Sequence, residues 1–234
     1  ETLRKGFVHE LDEIRNELVR MSASVTDSIH RATSILLDQD LEGAEYVILA
    51  DDEVDSRCVA LEERCYSVLA LQSPVAIDLR QVVAALRIIA EIERSADLAV
   101  NLCKAARRIY GHTLDPRLRG IIQKMGDQAQ QLFREATESY LASDAVRAAA
   151  LADMDSYLDD LQRQFVQAIF ESHSGEKIDL QVAVQLAVVA RFYERIGDHA
   201  VNIGERVRYL VHGWLPEAAG AARFATRSAA SDLD

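Results

Sequence analysis

The sequence predicts an all-α protein, arranged as two tandem pseudo-symmetric three-helix bundles with six long helices. The first observation is an internal repeat: residues 93–101 read ERSADLAVN, and residues 194–202 read ERIGDHAVN, 101 positions later. The second is a scarcity of residues that interrupt helices, since the 234 residues include only ten glycines and three prolines. A repeat that is rich in helix formers and poor in breakers is typical of stacked helical units rather than of a sheet.

The repeat extends well beyond these two phrases. Asp78, Leu79 and Val83 have identical residues 101 positions later. Upstream, the offset between matching residues changes, to 104 for Met21, Ala32, Thr33 and Asp40 and to 100 for Asp55 and Ser56. Small insertions and deletions in the connections between helices produce such a drift, because loops tolerate changes of length better than helices do.

Each copy is expected to contain three helices. In the first copy they cover residues 6–37, 41–71 and 76–110, and in the second copy residues 117–141, 144–171 and 178–211. Because the connections between them are short, the helices must fold back antiparallel into an up-down-up bundle. We therefore expect one bundle at residues 6–112 and a second at 115–214. Residues 215–234 have no apolar period, and we expect them to form a disordered tail.

Composition and charge limit the classes of function. The formal net charge of −12 disfavours binding to nucleic acid and suggests cationic partners, either basic protein surfaces or metal ions. We find no apolar run of roughly 20 residues that could span a bilayer and no secretory leader, so we expect a cytoplasmic protein. Three cysteines without metal-binding spacing are expected to be reduced and packed in the core.

The repeated phrase places acidic residues on one face of a helix. Glu93, Asp97 and Asn101 lie at i, i+4 and i+8, in line with an apolar stripe, and the second copy repeats this pattern at Glu194 and Asp198. We therefore expect these carboxylates on the core-facing side. Burying an unpaired carboxylate costs several kcal/mol, so each one needs an arginine, a hydrogen-bond donor, water or a metal ion.

The middle helix of each copy can contribute further carboxylates. Asp51 and Asp55 are one helical turn apart, and Asp155 and Asp159 repeat that spacing. Two helices that each present such a pair form an all-oxygen site suited to cations such as Mg, Mn or Fe. The alternative is an acidic helix face whose charges pair with Arg94, Arg195 or other nearby arginines, and the spacing alone leaves both interpretations open.

Four segments of the chain resemble motifs of a known family. Residues 70–80 (ALQSPVAIDLR), 93–101, 194–202 and 209–213 (YLVHG) are similar to the PhoU family, the phosphate-specific transport accessory proteins. The resemblance covers residues 6–213 and implies two three-helix bundles and a cytoplasmic, negative regulator of phosphate uptake and phosphate-starvation signalling. It also implies contacts with the ATPase of the phosphate ABC transporter and with the sensor histidine kinase, so that any link to the membrane is indirect.

The resemblance also implies metal binding, because some members bind metal ions, including multinuclear iron clusters, through paired E(D)xxxD motifs. This chain carries those motifs as Asp51 with Asp55, Glu93 with Asp97, and Glu194 with Asp198. Aligning the two copies places Leu151 opposite Asp51 and leaves Asp155 and Asp159 as the nearest pair, so the second site is expected to be out of register. The expected metals are Fe, Mn, Zn or Mg, with no organic cofactor. Long amphipathic helices with alanine-rich faces favour a homodimer.

No motif of a known enzyme mechanism is found. A di-iron carboxylate oxidase would need a Glu-x-x-His motif on each of two helices, and the chain has no such motif. Phosphate-binding glycine loops and a Gly-x-Ser-x-Gly elbow are also missing. The sequence therefore predicts a regulator that is not an enzyme. The alternative function is a carboxylate-bridged, metal-binding bundle for iron storage or redox chemistry.

Overall fold

The computed structural model describes residues 2–213, with side chains from residue 5 onward, and this part of the chain is helical with no strand. Its helices are α1 (Thr2–Asp38), α2 (Leu41–Leu49), α3 (Asp51–Gln72), α4 (Ala76–Arg108), α5 (Pro116–Ala142), α6 (Ala145–Ser174) and α7 (Leu180–His212). The predicted all-α class is confirmed. Residue 214 and the tail predicted at 215–234 lie outside the described residues.

Aspartates mark the start of four of these helices. The carboxylates of Asp40, Asp115, Asp144 and Asp179 accept hydrogen bonds from backbone N–H groups in the first turn of α2, α5, α6 and α7. Such a cap satisfies an N–H group that has no partner within the helix, and its negative charge also favours the positive end of the helix dipole. The short connections between the helices are therefore fixed by local sequence.

Four helices form the centre of the molecule. α1 packs against α4 and α5, and α7 packs against the same two helices, while α2 and α3 cover α1 and α4 on one side and α6 covers α5 and α7 on the other. α4 and α7 run antiparallel, because Glu91 contacts Asn202 and Arg108 contacts Gln185. Both bundles share one hydrophobic core. The boundaries at 6–112 and 115–214 stay a prediction.

The three cysteines lie within this core. Cys58, Cys65 and Cys103 are buried and unpaired, as their sequence spacing predicts. Burial raises the pKa of each thiol, so all three remain protonated at neutral pH. They act as small packing residues.

The helix predicted over residues 41–71 is divided in two at Ala50, whereas its counterpart α6 is continuous. The reason lies in the helix against which each one packs. A Cβ atom added at Gly197 of α7 would lie 2.2 Å from Asp155 Oδ1, and one added at Gly204 would lie 2.6 Å from Leu151 Cδ1. These two glycines allow α6 to lie close against α7 along its length.

In the first copy, α4 carries larger side chains at the two matching positions. Ala96 and Cys103 stand 101 residues before Gly197 and Gly204, and their Cβ atoms need room that the glycines leave free. A cavity of about 250 Å³, lined by Ala96, Ala50 and Asp51 among others, lies where α1, α4 and the junction of α2 with α3 meet. We attribute the division at Ala50 to this looser approach to α4.

Gly204→Ala is expected to lower the free energy of unfolding by about 1–3 kcal/mol, because the backbone must shift to accept the new atom. The added Cβ would lie only 2.9 Å from the carbonyl oxygen of Ala148. The matched control is Gly120→Ala, which meets no atom within 4 Å and should leave stability unchanged or raise it by up to about 1 kcal/mol. Urea denaturation measures both. Equal effects would show that the close approach of α6 to α7 is not a constraint.

Candidate functional site

The first acidic cluster consists of Asp51, Asp55, Glu93 and Asp97. The packing of α3 against α4 brings the two aspartates of α3 next to the two carboxylates of α4. Burial raises the pKa of Asp51 to about 6, and the negative charges of Asp55 and Asp97 contribute to the same rise. Burial and the same two aspartates also raise the pKa of Glu93. The structure thus brings all four predicted residues close enough together to repel one another.

The second acidic cluster consists of Asp155, Asp159, Glu194 and Asp198, where α6 packs against α7. Burial raises the pKa of Asp155 to about 6, with further contributions from Asp159, Asp198 and Glu194. Burial and the charge of Glu194 also raise the pKa of Asp198. The second copy therefore also brings four carboxylates together where its middle helix packs against its last helix.

This arrangement corrects the predicted register of the second copy, in which Leu151 stood opposite Asp51. Leu151 is a fully buried core residue. An offset of 104 pairs buried residues of the two middle helices: Ala44 with Ala148, Val47 with Leu151, and Leu61 with Phe165. The same offset pairs Asp51 and Asp55 with Asp155 and Asp159. At an offset of 100, buried residues of α3 also match buried residues of α6, such as Cys58 with Leu158 and Cys65 with Phe165. The two offsets differ by about one helical turn, so burial does not distinguish them, and the position of each aspartate against α4 or α7 is what pairs Asp51 with Asp155.

The structure also corrects the predicted orientation of the carboxylates. Glu93, Asp97 and Asp198 are exposed rather than turned into the core. α4 packs against α1, α2, α3 and α7, so most of its circumference is buried and only a narrow strip remains exposed. On such a helix most positions are apolar, so the spacing of apolar residues does not show which positions are exposed. The repeated carboxylates lie on the exposed strip. The buried acidic residue of α4 is Glu91, which is 7% exposed.

One oxygen in each cluster has no hydrogen-bond partner. Asp51 Oδ1 and Asp155 Oδ1 are buried, and no described residue donates a hydrogen bond to either. A buried carboxylate oxygen that lacks a donor and lies among like charges is unfavourable, and a cation that prefers oxygen ligands would relieve both problems. The chemistry of the donors thus fits a metal ion.

The side chains are not, however, arranged as a preformed metal site. Within residues 2–213, no group of three or more His, Cys, Asp or Glu side chains is placed to hold a metal ion. Ligation by either cluster would require side-chain rotation, which the exposed Glu93, Asp97 and Asp198 have room to make. Metal binding by the eight residues stays a prediction.

A buried polar cluster joins the two copies at the contact between α4 and α7. Glu91 Oε2 accepts hydrogen bonds from His199 Nδ1 at 2.7 Å and from Asn202 Nδ2 at 3.1 Å. Burial by itself would raise the pKa of Glu91, but the hydrogen bonds from His199 and Asn202 outweigh it and lower that pKa. His199 therefore serves as a buried hydrogen-bond partner of Glu91.

Glu91 is not among the residues predicted from the sequence, although the repeat contains a signal for it. Glu91 stands where the second copy has Phe192, and His199 stands where the first copy has Leu98. Each of these two polar residues is an exception, because the matching position of the other copy is apolar. Two such exceptions on helices that pack together indicate a pair that holds the copies in one register.

The chain is similar in sequence to a known family. A family model described as the PhoU domain matches residues 18–106 and again residues 122–207. The chain is 34% identical over 216 residues to the phosphate-specific transport system accessory protein PhoU homolog 1 of Mycobacterium leprae, covering 92% of this chain and 96% of that protein. It is 34% identical over 215 residues to PhoU homolog 2 of Mycobacterium tuberculosis, covering 92% and 100%.

Solved structures show the same fold. The crystal structure of PhoU from Pseudomonas aeruginosa is similar to this chain with a TM-score of 0.83 at 28% identity, covering 89% of this chain and 100% of that one. The phosphate transport system regulatory protein PhoU from Streptococcus pneumoniae has the same fold, with a TM-score of 0.82 at 24% identity and coverage of 89% and 98%. The resemblance inferred from the sequence motifs is confirmed.

The raised pKa values predict how stability depends on pH in the metal-free protein. The folded-state pKa of Asp51 and Asp155, about 6, exceeds the ordinary value of 3.8, so the folded chain binds more protons than the unfolded chain between these values. The contribution of both carboxyls to stability is therefore lost as pH rises through about 6.

Asp51→Asn combined with Asp155→Asn should flatten this dependence and raise the melting temperature at pH 7, with chelator present. Asp153→Asn, an exposed aspartate on the same helix as Asp155, is the matched control and should leave the profile unchanged. Thermal melts from pH 4 to 8 measure the effect, and a wild-type profile in the double variant would contradict the predicted repulsion.

Glu91→Ala is expected to lower the free energy of unfolding by about 2–4 kcal/mol, because His199 and Asn202 lose their acceptor in a buried site. Glu93→Ala, two residues further along the same helix, removes an exposed carboxylate from a repulsive cluster. It should leave stability unchanged or raise it. Chemical denaturation compares the two variants, and a larger loss for Glu93→Ala would show that the buried partner has been assigned to the wrong residue.

Proposed function

Since the chain belongs to the PhoU family, we propose that it is a negative regulator of phosphate uptake and of phosphate-starvation signalling in the cytoplasm. The support comes from the family match in both halves and from relatives that are named phosphate-specific transport system accessory proteins. The observation that carries the proposal is the repeated phrase itself, because it builds the same acidic cluster twice within that fold.

The proposed regulator acts through protein contacts, with the ATPase of the phosphate ABC transporter and with the sensor histidine kinase as partners. Apolar side chains at the connection between α3 and α4 offer a surface for such contacts, since Leu71 is 79% exposed and Val75 is 72% exposed. No helix within residues 2–213 is both long enough and apolar enough to cross a membrane. In the proposal, the link to the transporter runs through its ATPase. Self-association as a homodimer belongs to the same proposal, and the net charge of −12 argues against nucleic acid as a partner.

Metal ions form a second part of the proposal. The first acidic cluster would hold one through Asp51, Asp55, Glu93 and Asp97, and the second through Asp155, Asp159, Glu194 and Asp198. Fe, Mn, Zn or Mg would neutralise the crowded carboxylates, and the unpartnered oxygens of Asp51 and Asp155 support this assignment. A bound ion would strengthen the packing of α3 on α4 and of α6 on α7, because it joins carboxylates from both helices of each pair.

The exposed position of the clusters favours this role over iron storage or redox chemistry. In di-iron carboxylate bundles the ligands project into the bundle interior, whereas Glu93, Asp97 and Asp198 face solvent. At that position a metal ion can hold two helices together or contribute to a surface that a partner recognises. We assign no catalytic step to the chain.

Deletion of the gene in its host is expected to raise phosphate uptake and the expression of starvation genes in phosphate-rich medium, because the repressor is removed. Returning the wild-type chain should restore repression. Radiolabelled phosphate uptake and a starvation-gene reporter measure both effects. Unchanged repression after deletion would contradict the proposal, and altered cellular metal content with a normal phosphate response would instead support the storage alternative.

A further inference from the structure

The first turn of α4 extends past the point where α7 ends. The two helices run antiparallel, and the hydrogen bond from Asn202 to Glu91 fixes their register. Arg80 Nη1 lies beside Gly213, and eleven residues separate Arg80 from Glu91 and Gly213 from Asn202, so the register holds to the end of α7. Ile77 stands three residues before Arg80. The position opposite Ile77 therefore falls about three residues beyond Gly213.

Ile77 is exposed at a position that the second copy buries. Ile77 is 51% exposed, whereas Ile178, the same residue type 101 positions later, is 6% exposed. In the second copy, the connection between α4 and α5 lies against the connection between α6 and α7, since His112 Nδ1 is 3.7 Å from Asp179 Oδ2. Leu114 of the former connection is buried and belongs, like Ile178, to the hydrophobic core. We attribute the burial of Ile178 to the chain that follows α4.

The chain that follows α7 repeats features of the chain that follows α4. Leu215 stands 101 residues after Leu114. Each leucine comes shortly after a glycine with a positive φ, which is 82° at Gly111 and 78° at Gly213. A glycine in this conformation ends a helix and turns the chain to the side. Residue 215 lies outside the described residues, so the match at this position is one of sequence.

Leu215 is within reach of Ile77. Two residues of extended chain span up to about 7 Å, and the three residues from Arg80 back to Ile77 cover about 4.5 Å along α4. A side chain tethered this closely has a high effective concentration at Ile77, so it meets that residue more often than a separate molecule does. The chain's own C-terminal segment is therefore the best-placed occupant of this apolar position.

We propose that the C-terminal segment starting at Trp214 folds back on the first turn of α4 and that Leu215 covers Ile77, in the way that the chain after α4 closes the second copy. The driving force is the burial of apolar surface on both side chains. The inference goes beyond the proposed function and does not depend on it. It withdraws Ile77 from the apolar surface that the connection between α3 and α4 offers to a partner, so a partner contacts Leu71 and Val75 there.

The reactivity of a thiol introduced at position 77 tests the inference in the full-length chain. The native cysteines are buried and their thiol pKa values are raised, so alkylation of Ile77→Cys by iodoacetamide reports on the new thiol. Val184→Cys is the matched control, because Val184 is also 51% exposed and lies near the start of α7, away from the C-terminal segment. The thiol at position 77 should react about tenfold more slowly than the thiol at position 184, since access limits its reaction.

Removal of the proposed cover provides the decisive comparison. Leu215→Ser should raise the rate at position 77 by about tenfold and leave the rate at position 184 unchanged, because only the first thiol loses an apolar cover. Leu215→Ile keeps an apolar side chain and should keep the rate at position 77 low. Each comparison is made on the same thiol, so the charge of the adjacent Asp78 affects both rates equally. Mass spectrometry of the intact chain measures the rates.

Two results would overturn the inference. Rates at positions 77 and 184 that agree within about twofold, with Leu215 in place, would show that nothing covers Ile77. A slow rate at position 77 that Leu215→Ser leaves unchanged would assign the cover to something other than Leu215, and to a second copy of the chain if the rate rises on dilution. Neither result bears on the proposed regulation of phosphate uptake, which the gene deletion tests separately.

Discussion

The contact between α4 and α7 is the constraint on which the rest of the structure depends. Each of these helices packs within its own bundle and against the other bundle, so most of its surface is buried. A helix enclosed in this way has only a narrow exposed strip, and the polar residues that must stay near water are confined to it. The repeated phrase lies on that strip in both helices, which explains why its surviving residues are polar while the surrounding sequence is apolar.

Confinement to a strip has an electrostatic consequence. The middle helix of each copy packs along the edge of the strip and brings its own pair of aspartates against carboxylates that cannot move elsewhere. The fold therefore accumulates negative charge in two places, and burial together with the neighbouring carboxylates raises the pKa values of Asp51 and Asp155. Any cation or basic partner that binds a cluster stabilises the folded state, because it relieves this repulsion. Stability and any such binding would be linked at both clusters.

The sequence predicted the helices, their antiparallel order and the membership of both acidic clusters, because the apolar period, the paucity of breakers and the repeat are local signals. It did not predict the break at Ala50, which we attribute to the looser packing of α2 and α3 on α4, where Ala96 stands in place of Gly197. It placed Glu93 and Asp97 on the core-facing side. On a nearly enclosed helix, the spacing of apolar residues does not distinguish the narrow exposed strip from the buried faces. The ion pair between Arg191 and Glu194 also depends on side-chain placement that spacing alone leaves open.

The two copies have diverged at matched positions of α4 and α7, and the changes act in the same direction. Gly197 and Gly204 draw α6 close to α7, and Arg191 neutralises part of the resulting cluster, so the second copy is close-packed and internally compensated. With Ala96, Cys103 and Ala90 at these positions, the first copy has a divided middle helix and a cavity beside Asp51. Among the side chains of residues 5–213, no ion pair is made to the carboxylates of its cluster. The steric and the electrostatic difference are independent, because neither requires the other. The duplicated phrase thus lies in two different surroundings, and the difference arises from residues that flank or interrupt it rather than from the carboxylates that both copies share.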